Sequence, residues 1–160
     1  MNDAHLHLIF NHFPILGTLI GLAILFAGII IKNNAIKNVS YILFIVAAIT
    51  AFISMSTGEG AEELVEEMPT VGKQIIHEHE ELAEKLAIVL YVLGTVSIFG
   101  LVANIKKHHK AKLLSFIIAV VAFIGVVLAK SVGTSGGEIR HTEIRENALQ
   151  STPVKNEDTD

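Results

Sequence analysis

The chain has 160 residues, of which 51% are hydrophobic and only 18% charged, against roughly 25% charged in an average soluble domain. It has no cysteine, which excludes disulfides, thiolate metal sites, iron–sulfur clusters and cysteine nucleophiles. Its formal charge of −4 leaves no basic footprint for a nucleic acid, and its length allows one domain.

Setting histidine aside, four runs lack charge: residues 13–31 (19 residues), 38–58 (21), 86–105 (20) and 113–129 (17). A hydrocarbon core about 30 Å thick takes roughly 20 helical residues at about 1.5 Å each. The fourth run reaches residue 133 because 131–137 are also uncharged and Lys130 can snorkel. Helices buried in a soluble bundle would still need polar faces, and these runs have none. The sequence predicts an all-α, four-span antiparallel transmembrane helix bundle occupying 1–146. The tail 147–160, with Pro153 and several acids, is expected to be disordered.

The start, Met1-Asn2-Asp3-Ala4-His5, has no basic segment, and no Lys or Arg precedes Lys32. The first span therefore does not read as a cleaved signal peptide. The first short connection, 32–37, carries two lysines and no acid; the third, 106–112, carries four lysines, His108 and His109, and again no acid. By the positive-inside rule both face the cytoplasm. Both termini and the long connection 59–85 then face the other side, the periplasm of a bacterium, with the inner membrane as the location. His108 and His109 belong to the basic turn.

Every other histidine falls at an outer end of a span: His5, His7 and His12 before the first, His77 and His79 before the third, His141 after the fourth. Glu59, Glu62, Glu63, Glu66 and Glu67 join them after the second span, with Glu78, Glu80, Glu81 and Glu84 before the third and Glu138 after the fourth. Glu59, Glu63 and Glu66 share a helical face, as do Glu138 and His141. His77, Glu81 and Glu84 share another, while His79 leads onto Ala83, Leu86, Leu90 and Gly94, a stripe whose small residues favour close packing of membrane helices. Pro69 and Gly72 mark a turn, so 59–68 and 73–85 are expected as a helical hairpin above the membrane. Aligning Gly58 with Gly133 pairs Ala61 with Gly136, Glu63 with Glu138 and Glu66 with His141, the trace of two pseudo-repeated helical hairpins about an axis along the membrane normal.

Four segments together resemble small uncharacterised bacterial four-helix inner-membrane proteins. They are Asn11-His12-Phe13-Pro14-Ile15-Leu16-Gly17, Thr57-Gly58-Glu59-Gly60-Ala61-Glu62-Glu63, His79-Glu80 and Gly136-Gly137-Glu138-Ile139-Arg140-His141. Some relatives of those proteins are attached to c-type cytochrome modules. The resemblance implies a bacterial inner-membrane protein in respiratory or redox company and supplies no activity. His5, His7 and His77 lie outside the pattern.

Imidazole and carboxylate together are ligands of iron, copper and zinc. The first reading is a transition metal ion with a redox role, held by His12, Glu59, Glu63, His79, Glu138 and His141. His5, His7, Glu66 and His77 are additional ligand candidates, with Glu80 and Arg140 orienting ligands or balancing charge. Glu138 and His141 have the Glu-x-x-His spacing of di-metal carboxylate bundles. The second reading is a b-type haem, with His12 and either His79 or His141 as axial ligands and Gly58, Gly60, Gly136 and Gly137 admitting the macrocycle. The third is a cofactor-free structural or interaction subunit, alone in the bilayer, as a homo-oligomer or with a respiratory partner. No motif assigns an enzymatic reaction: there is no nucleophile elbow and no Walker-type loop. With no acid or base inside a span, a transmembrane proton relay has nothing to work with.

Overall fold

The computed structural model describes residues 2–66 and 71–145, so the tail 147–160 lies outside the described residues. The helices are α1 (Asp3–Phe10), α2 (His12–Ile30), α3 (Asn34–Ser56), α4 (Gly58–Glu66), α5 (Lys73–Ile105) and α6 (Ala111–Arg140), followed by a 3-10 turn at Thr142–Ile144. No strand occurs among the described residues. Four helical stretches are long and apolar enough to cross a membrane: Asp3–Ile30, Asn34–Ser56, Lys73–Ile105 and Ala111–Arg140.

Large apolar side chains cover the outside of the bundle. Phe52, Phe99, Phe116 and Phe123 are 57–66% exposed. Water would not tolerate so continuous an apolar surface, whereas lipid does. The protein is a multi-pass membrane protein with an all-α four-helix architecture.

α1 and α2 form one long path with a break at Asn11. The cause is local, because Pro14 has no N–H to offer the Phe10 carbonyl one turn back. α2 packs on α3 and α6, and α5 packs on the same two, so α2 and α5 stand diagonally across the bundle. Leu25, Tyr41, Phe44, Leu90, Leu93 and Ile118 fill the centre and are inaccessible to solvent. Glycine lets the helices close in around them. A Cβ at Gly21 would lie 2.6 Å from the Phe44 ring, and one at Gly94 would lie 2.6 Å from the Ala48 methyl.

The two halves repeat with a separation of 75 residues. α2 ends with Lys32 in the left-handed region, φ 54°, and α5 ends with Lys107 at φ 50°. Each is followed by a residue whose N–H reaches back five positions: Asn33 to Gly28 at 2.9 Å and His108 to Ala103 at 2.8 Å. This is the same Schellman closure twice, with lysine where glycine is usual. Burial follows the same register. Buried Thr18, Leu22, Leu25 and Gly28 of α2 answer buried Leu93, Ser97, Gly100 and Ala103 of α5. Buried Ser40, Phe44, Ala47, Thr50 and Ser54 of α3 answer buried Ser115, Ala119, Ala122, Gly125 and Ala129 of α6.

The register predicted from Gly58 and Gly133 thus extends through the spans and fails at its own starting point. α3 stops at Ser56 and α4 begins at Gly58, whereas α6 runs on to Arg140. The expected hairpin of 59–68 with 73–85 also takes a different form. α4 lies along α1 and the end of α3, and a 3.3 Å ion pair from Lys73 to Glu66 links its last turn to the start of α5. Residues 67–70 lie outside the described residues.

Candidate functional site

At the end opposite the basic turns, α5 is longer than a membrane crossing needs. Its 33 residues span about 50 Å at about 1.5 Å each, against a hydrocarbon core of about 30 Å. His79 sits in this surplus length, before the apolar stretch 86–105. α1 is set at the same end by its own cap: the Asn2 side chain accepts from the His5 amide at 3.0 Å. Gly60 then allows close approach of α4, since a Cβ there would fall 2.7 Å from Asp3 Cβ.

Two imidazoles point into this end from diagonally opposed paths. His7 on α1 donates from Nδ1 to the Ser54 carbonyl at 3.0 Å. That carbonyl lies in the last turn of α3, where α3 gives way to α4 and the negative end of the helix dipole favours a donor. His79 on α5 pairs through Nδ1 with Ser135 Oγ on α6 at 2.8 Å. The Ser135 hydroxyl also reaches the Val132 carbonyl at 3.1 Å. His7, facing a carbonyl, therefore carries its proton on Nδ1, whereas in the His79–Ser135 pair either atom can donate. Gly136 leaves space for the His79 ring, as a Cβ there would lie 2.9 Å from Cε1. Burial holds the His79 pKa below the ordinary histidine value, and a charge on nearby His7 would push it lower. The repeat does not relate the two rings: 75 residues before His79 is Ala4, and 75 after His7 is Leu82.

The other predicted site residues take separate places along the helices. His12 and His5 are exposed, as are Glu59, Glu63 and Glu66. His77 is exposed and faces Glu81 at 3.4 Å and Glu80 at 3.9 Å on its own helix. His141, the C-cap of α6, pairs with Glu143 at 2.9 Å. Glu143 is held below the usual carboxylate range, first by its own backbone N–H and then by His141. Glu138 is half-buried, and its carbonyl and that of Ile139 accept from Arg145 at 2.8 and 3.1 Å. Arg140 is exposed at the end of α6. Among the described residues, no three His, Asp or Glu side chains gather into a group able to hold a metal ion.

The sequence reading gave three further residues no role at this end. Ser54 and Ser135 fix the two rings; the only hint was that each is a small polar residue close to a glycine at the end of a span. Glu62 is the carboxylate most enclosed by its own kind. Burial raises its pKa first, then Glu80, Glu66 and Glu59, while His77 pulls it down.

No protein-family model, curated protein or solved structure matches this chain.

Proposed function

We propose that this chain is a multi-pass protein of a bacterial inner membrane that holds a transition metal centre at its periplasmic end and exchanges electrons there. The lysine-only turns on one end and the acidic, histidine-rich cap on the other support that orientation. The observation that carries the metal reading is the His7–His79 pair. Two rings from different helices stand at one end of the bundle, each with Nδ1 engaged in a hydrogen bond. Metal-ligating histidines hold their second nitrogen in such a bond, which fixes the tautomer and aims the ring. Neutral imidazole suits iron, copper and zinc, and iron and copper can cycle by one electron. The carboxylates Glu59, Glu63, Glu66 and Glu138, with His12 and His141, form a polar surround that favours a cation. The resemblance to proteins with c-type cytochrome companions makes a c-type haem protein the natural one-electron partner on this face.

Elemental analysis of the full-length protein, purified gently in mild detergent, tests the reading. Stoichiometric iron or copper is expected. It should be lost at low pH, because the imidazoles must be neutral to bind. Stoichiometric zinc would overturn the electron-exchange half. Protein without metal, and without any metal-induced rise in thermal stability, would overturn the whole.

A further inference from the structure

We infer that the end of the bundle carrying the lysine turns holds the phosphate group of an anionic phospholipid between Lys37 of α3 and Lys112 of α6. Lys37 lies in the first turn of α3 and is only 7% exposed. Its stem crosses the last turn of α2, where a Cβ at Gly28 would meet Lys37 Cγ at 2.8 Å. Among the described residues it has no hydrogen bond and no ion pair. A buried charge left so is costly. The turns cannot relieve it, because 32–37 and 106–112 contain no acid. On the α5 side the start of α3 meets only a neutral amide: Asn104 Nδ2 donates to Asn38 Oδ1 at 2.8 Å and to the Asn34 carbonyl at 3.3 Å. The nearest charge is a like one, since Lys112 is close enough to repel Lys37. Two lysines gathered without a carboxylate call for an anion.

The repeat and one hydrogen bond bring the two lysines together. Lys112 is the counterpart of Lys37 at a separation of 75 residues. Tyr41 Oη and Ser115 Oγ, 2.7 Å apart, tie α3 to α6 across the bundle. Lys37 is four residues before Tyr41 and Lys112 three before Ser115, so both stand one turn nearer the basic end, on the faces this bond joins. The start of α6 adds donors. Asn33 caps α3 by accepting from Ala35 and Ile36, but its counterpart is His108, and α6 has no side-chain cap. The first amides of this 30-residue helix are thus open to an anion at its positive end. A phosphate group, with several acceptor oxygens, serves two ammonium groups and such amides at once. The surface beside the site favours a lipid as its source. Ile30, Ile31, Val39, Leu113 and Phe116 are exposed at this end and offer acyl chains a path that a free phosphate does not need. Basic sites between membrane helices hold anionic head groups in this manner.

The test titrates the full-length protein in detergent with dioleoylphosphatidylglycerol, dioleoylphosphatidylcholine or inorganic phosphate at physiological ionic strength. Affinity is read from the rise in melting temperature, and retained lipid is counted by native mass spectrometry. Phosphatidylglycerol should stabilise the protein and stay bound, and the other two should do neither. Lys37→Met and Lys112→Gln should each weaken its binding about tenfold or more, the loss of a charge-assisted hydrogen bond. Lys106→Gln removes the same charge from a basic turn and should cost about fivefold at most. Because Lys112 is exposed, its variant tests the site without disturbing the core. Equal binding of phosphatidylcholine, or phosphatidylglycerol binding unchanged in both site variants, would overturn the inference. Equal losses from Lys112→Gln and Lys106→Gln would overturn it in favour of diffuse attraction to the basic turns. Inorganic phosphate that stabilises the protein as phosphatidylglycerol does would overturn the lipid as the source of the phosphate.

Discussion

At the scale of single residues, the proposed site depends on the hydrogen bonds that hold its two rings. Ser135→Ala removes the hydrogen-bond partner of His79 Nδ1. We expect metal affinity to fall by roughly ten- to a hundredfold, as when other groups behind a ligating histidine are lost. A titration of the variant measures it, and unchanged affinity would show that the bond does not aim the ring. Glu62 gives a pH prediction with a definite sign. Its pKa is raised in the folded protein from the ordinary 4.5, so the folded state holds its proton longer than the unfolded state does. Its contribution to stability is then fullest below 4.5 and is lost as pH rises through the folded value. Glu62→Gln should therefore raise the melting temperature at neutral pH and flatten its fall from pH about 4 to 7. A melting series across that range checks it. The sequence showed that imidazoles crowd this end, but not which ones turn inward. His7 and His12 lie on the same short path, and only the break at Asn11 and the meeting of α1 with the end of α3 separate the half-buried ring from the exposed one. The break is signalled locally by Pro14, whereas the meeting of α1 with α3 is a tertiary event with no local signal.

At the scale of helices, packing rests on glycine at the crossings. Gly94→Leu must push α5 from α3, because even a Cβ at this position meets Ala48 at 2.6 Å. A loss of about 1–3 kcal/mol is expected from such overpacking. Gly133→Leu is the control: its surface is exposed, and the nearest atom to a Cβ there is Ile15 Cδ1 at 3.8 Å. Thermal unfolding of the two variants should separate them clearly. The spans were legible because run length and missing charge are enough to read a membrane helix. α3 was read as 38–58 and runs Asn34–Ser56, its start fixed by the Asn33 side chain, which accepts from Ala35 and Ile36 at 2.9 and 3.3 Å. The continuation of α6 to Arg140 was harder to read, since Ser131–Gly137 contains three glycines and glycine weakens a helix. Packing of that stretch against His79 and Ile144 outweighs propensity.

At the scale of the whole molecule, the repeat gives the bundle two chemically unlike ends: lysine turns at one and paired imidazoles under an acidic cap at the other. The sequence carries no cysteine, so single introduced cysteines report orientation directly. Gln74→Cys should react with an impermeant thiol reagent in intact cells, and His109→Cys should react only after permeabilisation; the reverse pattern would place the imidazole pair in the cytoplasm. The most direct measurement is the metal content of the purified full-length chain beside that of a His7→Ala, His79→Ala double variant, with circular dichroism confirming that both are helical. Our account predicts about one redox-active metal, iron or copper, per chain in the first and its loss from the second. A metal-free parent protein, or a helical double variant that keeps its metal, would contradict it.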